Sequence, residues 1–380
     1  MQPWHTAYAI ARDKPAPLPA EPTPTTAAVG RVAAAPARAR VAVPAFDTAA
    51  MDGYAVAGPG PWTLTGRILA GPATGRRAMT AGTAVEIATG AVVPPGADAV
   101  LQYEMSHRDG DVVTGARGPR DHIRRAGADL AAGDLVVAAG RVVTATTAAA
   151  AVQAGIDRLR THRPPAVTLL VTGDEVVRDG PPGPGQVRDV FTGLVEAVST
   201  RAGGRVHEAR HVPDRPDRLR AGLDAATTDV VVVTGASSAG AADHLRTVLD
   251  ARHWMVRGVA CRPGHPQGLA ALPDGRWVVS LPGNPYAGLV AALTLLEPLL
   301  AALSGRPRVL RRMPVTGTAR LVPDGVRIVP TRHDGTIVQA AGSAGSGGSG
   351  SLHVAASADY LAVLRADWAS GDSADVLEVP

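Results

Sequence analysis

Three loops of this 380-residue chain carry side chains and glycines that could bind a phosphate-bearing ligand. Residues 172–175 (Thr-Gly-Asp-Glu) follow an apolar run and place two carboxylates side by side. Residues 234–240 (Thr-Gly-Ala-Ser-Ser-Ala-Gly) combine two hydroxyls with glycines. Residues 46–55 contain the dipeptide Asp52-Gly53. Taken alone, each loop is more simply explained as a turn or a helix cap, because Thr, Asp and Gly occupy such positions routinely.

The loop at residues 234–240 is the one best suited to an oxyanion. It lies between a predicted strand and a predicted helix, where backbone amides point at a ligand and carry partial positive charge. It lacks the Gly-Lys-Ser/Thr sequence of a P-loop, which disfavours ordinary nucleoside triphosphatase chemistry. The single cysteine, Cys261, excludes an intrachain disulfide, and no Cys/His group has zinc-ligand spacing.

The elements that position these loops alternate between strands and helices. Continuous apolar runs at residues 166–171 and 230–233 are typical of strands covered on both faces, and each run leads into a Thr-Gly pair. A third strand, at residues 277–280, leads into Pro282-Gly283-Asn284 and a long helix. Further helices are predicted at residues 194–202, 215–226 and 241–251. This alternation predicts a mostly parallel sheet, whose ligands bind beyond the carboxyl ends of the strands.

The flanking segments are richer in short β-type runs. Such runs between residues 62 and 114, separated by Gly and Pro, predict a small β-rich domain, and residues 306–380 predict another. The proline-rich residues 13–26 predict an extended connector. Residues 342–351 are low in complexity and predict a flexible loop.

Composition narrows the class of protein. Hydrophobic residues at 46% against 19% charged residues are typical of a globular chain. The N-terminus lacks the pattern of a signal peptide, and the most apolar helix, residues 286–303, contains a predicted break at Glu297-Pro298. We therefore expect a cytoplasmic protein and no membrane. Arginines are scattered and aromatic residues make up only 3%, so no nucleic-acid partner is expected despite the net charge of +4.

Several short blocks follow one another along the chain. Residues 43–56 read VPAFDTAAMDGYAV, residues 171–175 read VTGDE, and residues 281–285 read LPGNP. Shorter blocks lie between them at residues 87–91, 95–100 and 124–129. In this order the blocks resemble those of the MoeA/gephyrin-type molybdopterin molybdenumtransferases, whose signature is PxFDNSAMDGYAV. The resemblance covers residues 31–380, and the three longer blocks in series are highly specific.

The resemblance implies a multidomain α+β and α/β fold in an elongated chain. Residues 1–45 with 123–162 would form an elongated linker or dimerisation domain, and residues 46–122 an inserted β-rich domain. Residues 163–305 would form a parallel-sheet α/β domain of the molybdopterin-binding type, and residues 306–380 a C-terminal β domain. It also implies a homodimer with a composite active site, in which the α/β domain of one subunit faces the inserted domain of the other.

The resemblance further implies a reaction and its participants. Molybdate would be inserted into adenylylated molybdopterin in a Mg²⁺-dependent step that releases AMP and yields molybdenum cofactor. A molybdopterin adenylyltransferase is a possible donor of the substrate. Cleaving a phosphoanhydride requires charge neutralisation and positioning more than a protein nucleophile, which agrees with the lack of a Ser/His/Asp or Cys/His motif.

Site residues follow from the motifs that match. The predicted catalytic residues are Asp52, Thr89, Glu175, Asp214 and Asp243, of which Glu175 and Asp243 are also the predicted metal ligands. The predicted substrate-binding residues are Thr172, Gly173, Asp174, Gly235, Ser237, Ser238, Gly240, Arg262, His265, Pro282, Gly283 and Asn284. The carboxylates supply the oxygen ligands that a hard divalent cation prefers.

The chain departs from the family pattern at the predicted site. Ala50 replaces the usual Ser, and Ala236 replaces a glycine of the GGVSVG-type loop. Gly258 and His265 stand where basic residues are usual, and Phe191 stands where an Asn is usual. Ala236 would strain its loop by about 1 kcal/mol or more if that position requires a positive φ.

Two hypotheses therefore remain open. The first is a working molybdenum insertase, which is favoured because Asp52, Glu175 and Asp243 are all present. The second is a divergent, non-catalytic paralogue that binds a molybdopterin-like or nucleotide-like ligand as a scaffold, which the lost basic residues favour. A phosphate-binding domain of unrelated function comes third.

Overall fold

The middle of the chain folds around the predicted parallel sheet. The computed structural model describes residues 1–72, 78–235, 244–307, 309–333, 338–340 and 352–380. The six strands of the sheet are β1 (Ala166–Thr172), β2 (Arg205–Val212), β3 (Val230–Thr234), β4 (Trp254–Arg257), β5 (Gly268–Ala271) and β6 (Trp277–Leu281). They lie in the order β2-β1-β3-β6-β5-β4, in which the first four are parallel to one another and the pairings of β6 with β5 and of β5 with β4 are antiparallel.

Helices sandwich this sheet, which explains its continuous apolar runs. Following the chain, the helices are α1 (Phe191–Arg201), α2 (Pro216–Ala225), α3 (His244–Val248), α4 (Pro285–Ala291) and α5 (Glu297–Leu303). Val230 and Val232 of β3 belong to one core cluster, whereas Val231 and Val233 belong to another. Because successive side chains of a strand point to opposite faces, both faces of β3 are buried.

The edge strands are the elements that sequence patterns missed. Strand β2 reads Arg-Val-His-Glu-Ala-Arg-His-Val, and its side chains are mostly exposed or half-buried because it lies at one edge of the sheet. Strands β4 and β5 extend the other edge in antiparallel fashion. Neither edge carries the continuous apolar run that marks a central parallel strand.

The predicted break at Glu297-Pro298 is wrong. The helix runs from α4 through a π-helical turn, Ala292–Leu296, directly into α5, with Pro298 near the start of α5. The π-helical turn just before Pro298 changes the hydrogen-bond register, which lets the continuous helix accommodate a residue without a backbone donor. By length and composition this helix could cross a membrane, with a mean hydropathy of 1.8, yet 94% of that stretch is buried inside the protein. It forms part of the α/β core.

A helix near the N-terminus joins the same core. Trp4–Asp13 buries Trp4, Ala7, Tyr8 and Ala11. The Trp4 indole Nε1–H donates to Thr294 Oγ1 at 3.0 Å, within the π-helical turn. These residues were assigned from sequence to the linker domain; in the structure they pack against the α/β domain.

The linker region is built from two distant stretches of chain. Ala20–Pro24 pairs with Arg158–His162, Ala37–Arg38 pairs with Leu135–Val137, and Thr48–Ala49 pairs with Ile123–Arg124, all antiparallel. Helix Ala145–Gln153 and the short 3-10 turn Thr25–Ala27 pack together beside these pairs. The two stretches therefore share one small core.

Two further β-sheets complete the fold. The inserted sheet has the order Ala99–Gln102, Gly53–Val56, Thr83–Ile87, Trp62–Ile68, Val112–Gly115, Ser106–Asp109. The C-terminal sheet has the order Gln2–Pro3, Val259–Arg262, Val326–His333, Val338–Ala340, Arg311–Thr316, Ser373–Glu378, Tyr360–Arg365, and Val326–His333 also pairs with Tyr360–Arg365. The short helix Leu352–Ala356 lies beside it. The C-terminal sheet thus takes one strand, Val259–Arg262, from between β4 and β5.

Candidate active site

Three loops meet at the carboxyl edge of the parallel strands. Thr172 Oγ1 donates to Thr234 O at 2.6 Å, and the Gly235 N–H donates to Leu281 O at 3.2 Å. Gly235 has φ +81°, and a Cβ there would lie 2.8 Å from Thr172 O. A Cβ on Gly283 would lie 3.3 Å from Gly235 Cα. The loops after β1, β3 and β6 are therefore packed backbone against backbone, and Gly235 leaves no room for a side chain.

A cluster of carboxylates lies on one side of this junction. The Asp214 N–H donates to Asp174 Oδ1 at 3.2 Å, which joins the loop after β2 to the loop after β1. Partial burial and the nearby carboxylates of Glu175 and Asp174 raise the pKa of Asp214, against the opposing effect of His244 and His211. Three acidic groups are thus held near one another at the same edge of the sheet.

Gly173 is the residue that lets Glu175 take its place in that cluster. Its φ is +127°, and a Cβ there would lie 2.7 Å from Glu175 Oε2. The Gly173 carbonyl oxygen lies 2.7 Å from His211 Nε2 and accepts from the Val176 N–H at 3.1 Å. The tight turn therefore anchors the backbone on both sides of the two carboxylates.

The donor set suits a hard divalent cation. Asp174, Glu175 and Asp214 offer oxygen atoms, the ligands that Mg²⁺ prefers. Over the described ranges, however, no three His, Cys, Asp or Glu side chains are arranged so as to hold a metal ion. Mg²⁺ commonly keeps water and substrate phosphates among its ligands, so a site formed by three or more protein side chains is not required. The other predicted ligand, Asp243, lies outside the described residues, as do Ala236, Ser237, Ser238 and Gly240.

A basic cavity lies on the other side of the junction. It has a volume of about 350 Å³ and is lined by Arg262, Pro263, Gly264, His265, Pro266, Pro282, Gly283, Asn284, Ala287 and Arg327. Gly283 belongs to this lining and also contacts Gly235. The cavity and the carboxylates are thus connected through the packed loops, and the cavity can bind an anion.

The basic groups of the cavity differ in charge. Partial burial and the nearby guanidinium groups of Arg262 and Arg246 lower the pKa of His265 below its usual value near 6.5. At neutral pH the imidazole of His265 is therefore mostly uncharged, whereas the arginines remain cationic. Arg246 and Arg327 were missed from sequence, because Arg246 lies on α3 and Arg327 in the C-terminal sheet, far from the motifs that drew attention.

Asn284 has a structural function in addition to lining the cavity. It is the N-cap of α4, and its Oδ1 accepts from the Ala287 N–H at 3.0 Å. The capping bond satisfies one of the free donors at the start of the helix and holds the Pro282-Gly283 turn against it.

Asp52 and Thr89 form a separate pair on the inserted sheet. Asp52 Oδ1 accepts from the Thr89 N–H at 2.9 Å, and this bond together with one from the Thr89 side chain lowers the pKa of Asp52. Neither is linked to residues 163–305 by any hydrogen bond or ion pair found in the described part of the chain. A Cβ on Gly53 would lie 2.0 Å from Leu101 O, so this glycine is required by the close approach of two strands.

The departures from the family pattern have local explanations at two positions. Phe191 is buried at the start of α1, and a Cβ on Gly288 would lie 2.2 Å from Phe191 Cε1, so the ring occupies the space beside that glycine. Gly258 has φ +85°, a conformation that most side chains strain to adopt. Nothing in the structure explains Ala50.

Comparison with known proteins agrees with this architecture. Residues 3–155 match the MoeA N-terminal region (domain I and II), and residues 168–302 match the probable molybdopterin binding domain. The molybdopterin molybdenumtransferase of Haemophilus influenzae is 31% identical over 294 residues, covering 73% of this chain and 72% of the relative. Molybdopterin molybdenumtransferase 2 of Mycobacterium tuberculosis is 32% identical over 309 residues, covering 75% of each chain. The chain belongs to the molybdopterin molybdenumtransferase family.

Solved structures of this family share the whole fold. The molybdopterin biosynthesis MoeA protein of Pyrococcus horikoshii superposes with a TM-score of 0.79 at 25% identity, covering 99% of this chain and 98% of the other. Another solved structure of a MoeA protein from Pyrococcus horikoshii superposes with a TM-score of 0.78 at 21% identity and covers all of both chains. The multidomain α+β and α/β fold expected of a molybdopterin molybdenumtransferase is confirmed.

Proposed function

We propose that the chain inserts molybdate into adenylylated molybdopterin, with release of AMP, to give molybdenum cofactor. Family membership supports the coarser part, a transferase role in molybdenum cofactor biosynthesis with molybdopterin and molybdate as substrates. The finer part, an adenylylated substrate and a divalent cation, rests on the chemistry of the site. The observation that carries it is the junction of glycine loops, with carboxylates on one side and a basic cavity on the other.

This arrangement suits two reactants that bind side by side, a phosphoanhydride and a free oxyanion. Arg262 and Arg327 offer guanidinium groups to an oxyanion in the cavity. Gly235, packed against the backbone of Thr172, lies between the cavity and the carboxylates, and a phosphate bound beside it would span the two. The protein would act mainly by orienting the two reactants, since positioning alone supplies a large part of the acceleration in such reactions.

Mg²⁺, when bound, would neutralise charge on the phosphoanhydride. Glu175 and Asp214 would hold it, with Asp243 as a further ligand. Partial burial and then the neighbouring carboxylates raise the pKa of Asp214, which fits this assignment because a bound cation would stabilise the charged carboxylate against both effects.

We further propose a homodimer with a composite site. Asp52 and Thr89 pair with each other on the inserted sheet, and the neighbouring Phe46 and Met51 expose apolar side chains to solvent. A partner subunit that covers those side chains would bring its α/β domain to Asp52 and Thr89. A molybdopterin adenylyltransferase would then supply the adenylylated substrate.

Purified protein supplied with adenylylated molybdopterin, molybdate and Mg²⁺ tests the proposal. We expect AMP release that depends on molybdate, and active cofactor as judged by reconstitution of an apo-molybdoenzyme. Glu175→Gln should reduce the rate by about 100-fold or more, because it keeps the side-chain shape but removes a charge from the site. Glu196→Gln, an exposed position on α1, is the matched control and should not change it.

The same assay distinguishes the scaffold hypothesis. A non-catalytic paralogue would bind adenylylated molybdopterin and release no AMP. That result would refute the enzyme function and favour a ligand-binding scaffold. The lack of turnover would then be explained by the mostly uncharged His265 and by Gly258, which stand where the family has basic residues.

A further inference from the structure

The buried side chain of Gln267 lies directly behind the basic cavity. It is fully buried, whereas Arg262 and His265, on the loop that precedes it, are exposed and line the cavity. Gln267 itself is absent from the lining and contacts no part of the space where an anion would bind. Its only route of influence on a bound anion is through the loop.

Gln267 holds the loop from within through two side-chain contacts. Its Nε2 donates to Gly264 O at 2.9 Å and to Cys261 Sγ at 3.3 Å. The Cys261 thiol in turn donates to Pro263 O at 3.3 Å, and burial raises the pKa of Cys261 to about 12, so the thiol keeps its proton. One amide group thus binds both the strand that precedes the loop and the turn at its tip.

The other side of the turn is fixed by helix α4. Gly264 has φ +96°, and a Cβ there would lie 3.2 Å from both Ala287 O and Val290 Cγ1. The turn is held between the helix and the Gln267 amide. Because Arg262 and His265 flank Pro263-Gly264, the position of this turn decides where both basic side chains enter the cavity.

The chemistry of Gln267 points to the same role. Its Oε1 is buried and has no hydrogen-bond partner within the described residues. A buried polar atom without a partner destabilises a fold, and an apolar side chain of similar volume would avoid that penalty. The benefit that offsets it is the pair of bonds that Nε2 makes to the loop.

We propose that Gln267 is a positioning residue for oxyanion binding: it holds the turn at residues 262–266 so that Arg262 and His265 converge on the anion. This inference rests on the proposed function of the cavity as the oxyanion site. It concerns binding, and it can be tested without turnover.

The test compares two glutamines whose side-chain amides each donate to a backbone carbonyl group, Gln267 to Gly264 O in the turn and Gln2 to Met255 O in a strand. In Gln267→Met the bonds to the loop are lost at similar volume. The control is Gln2→Met, since Gln2 Nε2 donates to Met255 O at 3.1 Å and its Oε1 is also buried without a partner within the described residues. Affinities for sodium molybdate and sodium sulfate are measured by isothermal titration calorimetry on the full chain, with circular dichroism to establish that each variant is folded.

We expect the Kd for both anions to rise about tenfold in Gln267→Met and to stay within about twofold in Gln2→Met, because misplacing binding groups by a fraction of an ångström weakens an anion site. Cys261→Ala keeps the bond to Gly264 O and should also stay within about twofold. In the turnover assay, Gln267→Met should raise KM for molybdate more than it lowers kcat.

Two outcomes would overturn the inference. One is a folded Gln267→Met that binds both anions as tightly as the wild type does. The other is a wild type that binds neither anion, since there would then be no anion site to position. A wild type that binds molybdate but releases no AMP would instead refute the proposed function and leave the role of Gln267 standing.

Discussion

The titration of His265 should make oxyanion binding depend on pH. The imidazole lies beside Arg262 and within electrostatic reach of Arg246, in a cavity that Arg327 also lines. Partial burial of the ring, together with Arg262 and Arg246, lowers its pKa, so the unliganded imidazole gains its proton only below about pH 6.5. The arginines stay charged throughout. Acidification therefore adds one positive charge to the cavity, and anion affinity should increase as pH falls.

The size of the effect follows from the exposure of this residue. A charge-assisted hydrogen bond to an anion contributes about 1.5–3 kcal/mol when it is well shielded from water. His265 is exposed, so solvent screening reduces this to about 1 kcal/mol. That free energy corresponds to an affinity about fivefold higher at pH 5.5 than at pH 8.

Sulfate is the appropriate probe because it remains a dianion over this range. Isothermal titration of the wild type at pH 5.5, 6.5 and 8 should show the fivefold change. His265→Lys should bind sulfate at pH 8 as tightly as the wild type does at pH 5.5 and should show no pH dependence, since lysine is charged throughout. His107→Lys on the inserted sheet is the control for added surface charge. A wild-type affinity that does not change with pH, or a lysine variant that keeps the wild-type slope, would refute this reasoning.

Three further substitutions test other parts of the structure. Asp52→Ala should abolish cofactor formation in the turnover assay while leaving the midpoint of thermal unfolding unchanged, because the side chain is exposed; wild-type rates would contradict its assignment. Gly288→Ala should destabilise the fold by about 1–3 kcal/mol in urea unfolding, because the new Cβ would lie 2.2 Å from Phe191 Cε1; adding Phe191→Leu should restore much of the loss, and no restoration would argue against this contact. Trp4→Phe should lower the free energy of unfolding by about 1 kcal/mol through loss of the bond to Thr294; an unchanged value would mean that the bond contributes nothing net.

Sequence patterns were sufficient to predict the central strands and the loops that follow them. The valines of β3 read as a strand buried on both faces, and the structure places them in two separate core clusters. Since parallel strands present their carboxyl ends at one edge, residues that follow different strands, such as Thr172, Gly235 and Gly283, were expected at the same place. This inference needed only the continuous apolar runs and the rule that ligands bind beyond the carboxyl ends of the strands in open sheets.

The order of the motifs identified the family, but it did not show which contacts the individual side chains make. Asp52, Thr89 and the carboxylates were named from motifs, and their catalytic roles remain predictions. The structure adds that Asp52 pairs with Thr89 on the inserted sheet and that Asp174 accepts from the Asp214 backbone.

The residues that complete the cavity, and the residue that holds its loop, are brought together by the packing of elements that are distant along the chain. Arg327 arrives from the C-terminal sheet and Gln267 acts from behind the loop, and no local pattern marks either of them. The same holds for Trp4, which reaches the π-helical turn from the far end of the chain. Such contacts depend on how separate elements pack, which is decided by shape and burial over the whole molecule and is not encoded in the spacing of neighbouring residues.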